Sequence, residues 1–428
     1  MIDAEIRRGA DELTQKATAA RAAARKLALL DGNVKNAALS AIAAALQSRA
    51  DEIIAANRRD VDRAESAGAS AATVDRLRLD EKRLAGIASD TLQVAALPDP
   101  VGEVIEMRTL PNGLTVGRIR VPFGVIGVVY EARPNVTVDV AALCLKAGSA
   151  VVLRGGSDAL ESNLTVVRVL GDALESAGAP RDAIQILESR DHAQVDQLLK
   201  AKGLIDLLIP RGGKQLIDRV VANATVPVIE TGAAVCHTYV DASADLDMAL
   251  NIVVNAKTRR FSICNALDTL LVHRSVAPAF LPRIGPELTD RGVELRADEA
   301  SRALLGSGPN VVPAQPADFG TEFLALILAV RVVDSLDEAL DHIATYGNGH
   351  SEAIVTQDFT AAQRFQREVD AAAVYVNAST QFTDGAQFGL GAEVGISTQK
   401  LHARGPMGLR EMTTYKWIVT GDGHVRPL

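Results

Sequence analysis

The run Gly124-Val-Ile-Gly-Val-Val-Tyr130 decides the fold class of this sequence. It is almost unbroken in apolar character, which is typical of a β-strand buried on both faces of a sheet. A helical segment at 138–146 separates it from a second apolar run, Ala150-Val-Val-Leu-Arg154. Two buried strands joined through a helix predict a right-handed crossover and a parallel sheet with helices on both faces.

The same alternation continues along the chain and indicates two α/β units. The first continues with helices at 158–177, 191–202 and 214–223 and strands at 183–187, 205–209 and 226–230. The second has helices at 277–290, 335–345 and 359–369 and strands at 269–273, 293–296, 326–333, 352–356 and 374–377. Before residue 97 the sequence is rich in Ala, Arg and Leu at helical spacing, which predicts consecutive helices.

A hairpin and a C-terminal strand stand outside this alternation. Short alternating segments at 104–107 and 114–121 flank Pro111-Asn-Gly113, a combination that favours a β-hairpin. We expect both this hairpin and the strand Tyr415–Thr420 to pair with another subunit. Residues 378–410 are rich in Gly and polar residues without periodicity, and a loop of that length in a compact domain is usually functional.

The composition excludes several functional classes. The 428 residues are 48% hydrophobic and 23% charged with a formal net charge of −8, so the basic footprint of a nucleic-acid-binding protein is absent. No apolar run approaches the roughly 20 residues of a membrane span, and the N-terminal stretch lacks the apolar core of a secretion signal. Three dispersed cysteines without a CxxC pair indicate no disulfide framework and no metal site. We therefore expect a cytoplasmic protein.

The candidate nucleophile is Cys264. It lies between a basic run at 257–260 and an apolar strand that begins near Thr269. Nearby positive charge favours an ionised, nucleophilic thiolate. The alternative is a small apolar residue that fills a gap in the core. His237 and His273 lie in apolar strands and are expected to be core histidines rather than general bases.

Two glycine-containing turns follow predicted strands and open predicted helices. They are Arg154-Gly-Gly-Ser157 and Pro210-Arg-Gly-Gly213. Glycines at a helix N-terminus let phosphate oxygens approach unpaired backbone N–H groups, and cofactor sites in parallel sheets lie at the carboxyl ends of strands. These turns are therefore candidate cofactor-binding loops, and the alternative is that both are ordinary strand-to-helix connections.

With these residues in view, the sequence resembles the gamma-glutamyl phosphate reductase family (glutamate-5-semialdehyde dehydrogenases), a branch of the aldehyde dehydrogenase superfamily. The stretches that carry the resemblance are Val121-Pro-Phe-Gly-Val-Ile-Gly-Val-Val-Tyr-Glu-Ala-Arg-Pro-Asn-Val-Thr137, Val235-Cys-His-Thr-Tyr-Val-Asp241, Ile343-Ala-Thr-Tyr-Gly-Asn-Gly-His-Ser-Glu-Ala-Ile-Val355 and Lys400-Leu-His-Ala-Arg-Gly-Pro-Met-Gly-Leu409. They occur in the family's order, and the resemblance covers essentially the whole chain.

The resemblance implies an aldehyde dehydrogenase-like α/β fold with three parts. These are a Rossmann-like NADP-binding domain at 1–105 and 122–236, an α/β catalytic domain at 237–400, and a small β oligomerisation unit at 106–121 and 401–428. It implies NADPH-dependent reduction of L-glutamyl 5-phosphate to L-glutamate 5-semialdehyde and phosphate, the second step of proline biosynthesis from glutamate. A homodimer or homotetramer is expected, and the upstream glutamate 5-kinase is a candidate partner.

The resemblance also assigns roles to individual residues. Cys264 matches the nucleophile that forms a thioester, and Asn135 matches the side-chain amide of the oxyanion hole. The implied cofactor-binding positions are Arg154, Gly155, Gly156, Ser157, Arg211, Gly212, Gly213, Glu230, Glu322 and Phe323. The implied substrate-binding positions are Arg260, Asn377 and Gln381.

Two positions leave alternatives open. The family usually has arginine where this sequence has Gln381, which leaves open the group that neutralises the substrate α-carboxylate. Thr-Gly follows Glu230, as Leu-Gly follows the general base of hydrolytic aldehyde dehydrogenases, so such an enzyme is the first alternative. A non-catalytic scaffold or binding protein with this fold is the second. Phosphate-dependent rather than water-dependent oxidation of glutamate semialdehyde distinguishes the reductase from the first alternative. An intact Cys264 with Asn135 argues against the second.

Overall fold

A computed structural model describes residues 2–131, 133–191, 193–232, 234–306 and 308–426. The chain divides into two units, of which the first comprises Met1–Thr231, Leu390–Gly395 and Met407–Leu428. The second comprises Gly232–Gly389 and Ile396–Pro406. The chain thus returns to the first unit twice, whereas the prediction keeps 237–400 in one catalytic domain. Backbone hydrogen bonds from Val394 to Met407 and from Met407 to Gly395 join the two returning segments.

The first unit begins with the consecutive helices that the sequence predicts. In the described residues they are α1 (Ile2–Leu27), α2 (Gly32–Ser48), α3 (Ala50–Ser66), α4 (Ala71–Leu77) and α5 (Glu81–Ala96). The side chains of Asp31, Ser70 and Asp80 accept backbone N–H groups in the first turns of α2, α4 and α5. These acceptors satisfy N–H groups that have no partner inside the helix, which fixes where each helix begins.

A parallel sheet forms the core of the first unit. The described elements after α5 are β1 (Val104–Thr109), β2 (Thr115–Pro122), β3 (Val125–Tyr130), α6 (Pro134–Lys146), β4 (Ala150–Arg154), α7 (Leu160–Ser176), β5 (Ile184–Ile186), α8 (Ala193–Leu199), β6 (Leu207–Arg211) and α9 (Lys214–Asn223). Four of the strands are parallel in the order β5-β4-β3-β6, and β3 and β4 are buried throughout, as their apolar runs predict. The register pairs Val129 with Arg154 and Tyr130 with Arg211, so the carboxyl ends of β4, β3 and β6 lie side by side.

A larger parallel sheet forms the core of the second unit. Its described elements are β7 (Cys236–Val240), α10 (Leu246–Thr258), β8 (Leu267–His273), α11 (Ala277–Thr289), β9 (Glu294–Ala297), α12 (Glu299–Leu305), β10 (Val311–Pro313), β11 (Ile327–Val333), α13 (Leu336–Tyr346), β12 (Ser351–Val355), α14 (Phe359–Glu368) and β13 (Ala373–Val376). The strand order is β10-β9-β11-β8-β7-β12-β13, with every neighbouring pair parallel. The predicted α/β class is confirmed. Because β7 and β8 are neighbours, Cys236 at the start of β7 lies beside the turn that precedes β8.

An antiparallel sheet in the first unit contains the predicted hairpin. The remaining described strands are β14 (Ile396–Ser397), β15 (Gly405–Pro406) and β16 (Thr413–Thr420). β16 pairs with β2 along its whole length, from Thr413 opposite Pro122 to Thr420 opposite Thr115, and β1 pairs with the other edge of β2. The C-terminal strand thus has β2 of the same chain as its neighbour on one edge, and its pairing with another subunit stays a prediction.

The prediction of a strand at 226–230 is wrong. A single parallel bridge joins Leu208 to Val228, with Leu208 donating to the Pro227 carbonyl at 2.8 Å and accepting from the Ile229 N–H at 2.9 Å. Pro227 has no N–H with which a ladder could continue. Helix α12 and strand β10 have no counterpart in the prediction, since segments this short show no clear periodic pattern.

None of the described helices combines the length and apolar content that a membrane crossing requires.

Candidate active site

Cys264 lies in the turn between α10 and β8 of the second unit, where its side chain is half-buried. The turn precedes β8, so it lies at the amino edge of the sheet. The buried Cys236 thiol donates to the Cys264 carbonyl oxygen at 3.3 Å. Burial raises the pKa of the Cys236 thiol well above its usual value, so Cys236 stays protonated and holds the backbone of the turn.

Asp268 joins three segments around this turn. Its Oδ1 accepts the Phe323 N–H at 3.2 Å and lies 3.8 Å from Lys257 Nζ, while its Oδ2 accepts the Cys236 N–H at 3.5 Å. Burial lowers the pKa of Lys257 to about 8 and raises that of Asp268 to about 6, and the opposite charge of each partner works against these shifts. Lys257 Nζ also donates to the Leu267 carbonyl at 2.9 Å. The basic run is therefore not a uniform cationic surface beside the thiol, because its first member is buried and paired.

A second brace comes from the short turn Thr380–Phe382. Asn265 Nδ2 donates to the carbonyl oxygens of Gln381, at 3.3 Å, and Thr383, at 2.9 Å. Thr380 Oγ1 donates in return to the Asn265 carbonyl at 2.7 Å. The residue that follows the candidate nucleophile is thus fixed by three hydrogen bonds, which restricts the positions that Cys264 can take.

The three predicted substrate-binding residues have different surroundings. Arg260 is exposed next to the Cys264 turn. Asn377 has a positive φ of 56°, and both ends of its side-chain amide bond the backbone of Thr356 at 2.9 Å. Gln381 is buried, and its amide bonds the end of α10. These contacts hold the backbone around Asn377 and Gln381, and the implied substrate contact of the three residues stays a prediction.

The histidines of the second unit are not placed as general bases. His237 is fully buried and bonds Glu352 Oε2 at 2.9 Å through both its backbone N–H and its Nδ1, so the prediction of a core histidine is confirmed there. His273 is half-buried rather than in the core, and its Nδ1 lies 2.8 Å from Ser275 Oγ. Burial lowers the pKa of His350 to about 4, so this ring is neutral at pH 7.

Glu322 and Phe323, the implied nicotinamide-ribose positions, lie in the second unit. Burial raises the pKa of Glu322 to about 7, although a hydrogen bond from the Ala234 N–H opposes the shift. The Phe323 ring centroid lies 5.2 Å from the Arg296 guanidinium and 5.9 Å from Lys257 Nζ. A carboxyl group that titrates near neutral pH can hold or release a proton under physiological conditions.

The first unit contains a cavity of about 550 Å³ at the carboxyl ends of β3 and β4. Its lining residues are Thr73, Arg76, Val129, Tyr130, Glu131, Arg133, Arg154, Gly155, Gly156, Ser157, Asp158, Val195, Gln215, Leu216 and Arg219. Four predicted cofactor positions, 154 to 157, are thus together on one wall, at the edge where parallel sheets bind ligands. A cavity of this size suits part of a dinucleotide.

Arg154 is the most buried cation of this cavity, with 4% of its surface exposed. Its guanidinium donates to the carbonyl oxygens of Gly155, Arg190 and Asp191, and its Nε has no hydrogen-bond partner in the described residues. Burial lowers the pKa of Arg154, and none of these acceptors is a carboxylate. The cavity wall therefore carries a buried positive charge, which fits an anionic ligand.

Close packing at the first predicted loop favours glycine at position 155, and the second loop packs against Glu131. A Cβ on Gly155 would lie 2.4 Å from Asn163 Nδ2 and 3.0 Å from the Tyr130 hydroxyl. A Cβ on Gly212 would lie 2.7 Å from the Glu131 carboxyl carbon, and the Gly213 N–H donates to Glu131 Oε2 at 3.0 Å. The start of α9 is therefore capped by Glu131. The Arg211–Gly213 loop offers no open N–H at Gly213, which differs from the predicted phosphate contact.

Asn135 and Glu230 both belong to the first unit. Asn135 follows Pro134 at the start of α6, and its Nδ2 donates to Asp139 Oδ2 at 3.0 Å. Burial raises the pKa of Asp139 to about 6. Glu230 is half-buried between Ile229, whose N–H donates to Leu208, and Thr231, whose Oγ1 donates to the Pro210 carbonyl at 2.9 Å. A hydrogen bond to Asp139 thus orients the Asn135 amide, and hydrogen bonds on either side of Glu230 fix its backbone.

Sequence reasoning overlooked the buried acidic residues that organise both units. Asp268 and Glu352 each occupy a strand that is otherwise mostly apolar, Leu267–His273 and Ser351–Val355. A carboxylate in a buried strand needs a partner, so an acidic residue inside an apolar run is the signal that could have identified them. Glu131 and Asp139 carry no comparable signal, since their partners are set by tertiary packing.

Comparison with known proteins agrees with this geometry. A family model described as "Aldehyde dehydrogenase family" matches residues 4–305 and 310–418. The gamma-glutamyl phosphate reductase of Dehalococcoides mccartyi is 56% identical over 417 residues, which cover 97% of this chain and 98% of the relative. The crystal structure of gamma-glutamyl phosphate reductase from Thermotoga maritima superposes with a TM-score of 0.95 at 48% identity, covering 97% of this chain and 100% of that one.

A more distant solved structure shares the fold. An engineered glycolyl-CoA reductase with bound NADP+ has a TM-score of 0.66 at 17% identity, covering 95% of this chain and 96% of that one. Family membership implies a nicotinamide cofactor for this chain as well. The chain belongs to the aldehyde dehydrogenase family, and within it to the gamma-glutamyl phosphate reductases.

Proposed function

We propose that this protein reduces L-glutamyl 5-phosphate to L-glutamate 5-semialdehyde and phosphate with NADPH, through a thioester on Cys264. The observation that carries the proposal is the difference in burial between the three cysteine thiols. The chain is also 56% identical to a named gamma-glutamyl phosphate reductase. Cys264 is half-buried in a braced turn, whereas burial raises the pKa of both the Cys144 and Cys236 thiols. A nucleophilic thiol must be reachable by the substrate, and Cys264 is the one of the three that is not fully buried.

The chemistry divides a difficult reduction into two steps. The Cys264 thiolate attacks the acyl carbon, a carbon–sulfur bond forms, and the carbon–oxygen bond to phosphate breaks. The nicotinamide cofactor supplies a hydride when it is bound. The thiohemiacetal on Cys264 then releases the aldehyde and regenerates the thiol. Both steps place negative charge on the same acyl oxygen, and we assign its stabilisation to the Asn135 amide and the Cys264 backbone N–H.

We assign cofactor binding to the cavity of the first unit. The positive charge of Arg154 and the cations Arg76 and Arg133 on its wall suit a phosphorylated ligand. Arg211, Gly212 and Gly213 flank this region, and Glu322 with Phe323 would hold the nicotinamide ribose, as the resemblance implies.

Phosphate-dependent reduction of NADP+ by glutamate semialdehyde tests the reaction directly. The reverse reaction uses phosphate to release the acyl group from Cys264, so NADPH formation should rise with phosphate and be negligible without it. Turnover that proceeds equally well without phosphate would identify the hydrolytic alternative. A protein that binds NADPH but turns over under neither condition would support the scaffold reading.

We expect a preference for NADPH over NADH of at least about tenfold in kcat/KM. The position three residues beyond Arg154 is Ser157, and a carboxylate there would repel a 2′-phosphate. Parallel kinetics with both cofactors measure the preference. Ser157→Glu should reduce it and Ser157→Ala should not, and a native preference for NADH would contradict the assignment.

Glu230 is expected not to act as a general base. Hydride consumes the thioester in the forward direction and phosphate consumes it in reverse, so no proton has to be taken from water. A general base contributes about 10²- to 10⁴-fold, whereas we expect Glu230→Gln to keep phosphate-dependent activity within about tenfold. The measurement is kcat with and without phosphate. A loss beyond about a hundredfold at unchanged NADPH affinity would show that Glu230 takes part in the chemistry.

We also propose that the protein is a cytoplasmic homodimer or homotetramer. On β16, Tyr415, Trp417 and Val419 alternate along the strand and share one face, with exposed fractions of 48%, 52% and 60%. Clustered exposed apolar side chains are typical of protein interfaces. Association with glutamate 5-kinase, which would supply the acyl phosphate, is proposed from the resemblance alone.

A further inference from the structure

We propose that the Arg259 guanidinium, held by the Gln381 side-chain amide, binds the α-carboxylate of the substrate. The inference rests on the proposed function, because it concerns the glutamyl part of that substrate. The proposal identifies the positive charge that neutralises the α-carboxylate when position 381 is an uncharged glutamine. Arg259 follows the last residue of α10 and precedes the Cys264 turn.

The Gln381 side chain has a fixed orientation. Its Nε2 donates to the carbonyl oxygens of Ala256, at 2.9 Å, and Arg260, at 3.1 Å. Both neighbours are acceptors, so the amide nitrogen must face them and the amide oxygen must face away. That oxygen accepts a hydrogen bond from Arg259 Nη1 at 3.0 Å. The buried amide therefore fixes both the end of α10 and the direction of the Arg259 side chain.

The same segment positions the nucleophile. The backbone carbonyl of Gln381 accepts from Asn265 Nδ2, and Thr380 Oγ1 donates to the Asn265 carbonyl. Asn265, the residue after Cys264, and Arg259 are thus both hydrogen-bonded to one turn, Thr380–Phe382. In glutamyl phosphate the α-carboxylate is four carbon–carbon bonds from the acyl carbon, about 5 Å when extended. A group that binds this carboxylate must therefore keep a fixed distance from the thiol. The shared hydrogen bonds to Thr380–Phe382 restrict the position of Arg259 in this way.

The charge of Arg259 is available to a ligand. Its hydrogen-bond partner is a neutral amide oxygen, and in the described residues no carboxylate forms an ion pair with it. Lys257, two residues earlier, is instead buried against Asp268. A guanidinium with one N–H fixed keeps others in its rigid fork, which matches the two oxygens of a carboxylate. The exposed position of Arg259 lets a ligand reach it.

The first test is Arg259→Gln, compared with Arg260→Gln, the implied substrate-binding position beside it, and with Arg367→Gln on the exposed surface of α14 as the control. Arg260 is the adjacent exposed cation, so its variant makes the same charge change in the same turn. We expect R259Q to raise KM for glutamate semialdehyde at least about tenfold, with KM for phosphate and for NADP+ within about twofold and kcat within about threefold. A rise in R260Q and not in R259Q would overturn the assignment, as would an R259Q defect confined to kcat or to the phosphate KM.

The second test exchanges the two side chains in R259Q/Q381R. An arginine at 381 faces two carbonyl acceptors that suit guanidinium donors, and a glutamine at 259 supplies an amide oxygen. The pair of residues 259 and 381 keeps one positive charge, so KM for glutamate semialdehyde should return to within about threefold of the native value. A double variant as impaired as R259Q would show that the loss comes from a disturbed turn and would overturn the proposal.

The native protein separates this inference from the proposed function. If native enzyme shows no phosphate-dependent NADP+ reduction with glutamate semialdehyde, the proposed function fails, and the carboxylate assignment fails with it. If native enzyme is active and R259Q has native KM for all three reactants, the assignment to Arg259 alone is overturned.

Discussion

Replacing Cys264 by alanine is expected to abolish phosphate-dependent turnover, with a loss of at least about 10⁴-fold in kcat. Without the thiol no thioester can form, and hydride would have to displace phosphate directly. NADPH binding should be unchanged, because Cys264 is not among the residues that line the cavity assigned to the cofactor. Initial rates of NADP+ reduction measure the loss, and fluorescence titration with NADPH measures the binding.

Cys144→Ala is the matched control for this change. Cys144 is fully buried in α6, and burial raises the pKa of its thiol, so it should remain unreactive. The variant should keep most of the native kcat. Substantial residual turnover in Cys264→Ala, or loss of NADPH affinity in the same variant, would rule out the covalent mechanism or show that the substitution disturbs more than the nucleophile.

Asn135→Ala should lower kcat by about 10²- to 10³-fold, which is the cost of removing one oxyanion donor of roughly 3 kcal/mol. Asn135 Nδ2 has one N–H on Asp139 Oδ2 at 3.0 Å, and its second N–H can serve the acyl oxygen. The Asp139 contact holds the amide before substrate arrives. KM for glutamate semialdehyde should change little, because the oxygen carries full negative charge only during reaction.

Asp139→Asn tests how far this orientation matters. An asparagine oxygen can still accept from Asn135, so we expect a loss below about tenfold, much smaller than that of Asn135→Ala. Single-turnover measurements of thioester formation would locate both effects in the acyl-transfer step. A kcat for Asn135→Ala within about threefold of native would contradict the oxyanion assignment.

The sequence by itself determined the fold class and most of its elements. Apolar runs such as Gly124–Tyr130 and Ala150–Arg154 cannot face water, so they predict buried parallel strands, and β3 and β4 are those strands. Helix starts at Asp31 and Asp80 depend on hydrogen bonds within a few residues. Local residue patterns in contiguous stretches are enough to predict Cys264 as the nucleophile and 154–157 as a cofactor turn.

Tertiary structure decided what each polar side chain near the site contacts. Lys257 reads as part of a cationic run, but packing buries it against Asp268. Gln381 and Asn377 read as substrate ligands, yet their amides hold the backbone of residues 256, 260 and 356. The C-terminal strand pairs with β2, which lies roughly 300 residues earlier in the chain. Periodicity and capping are local and remain visible in the sequence, whereas a hydrogen-bond partner far along the chain is fixed only when the chain folds.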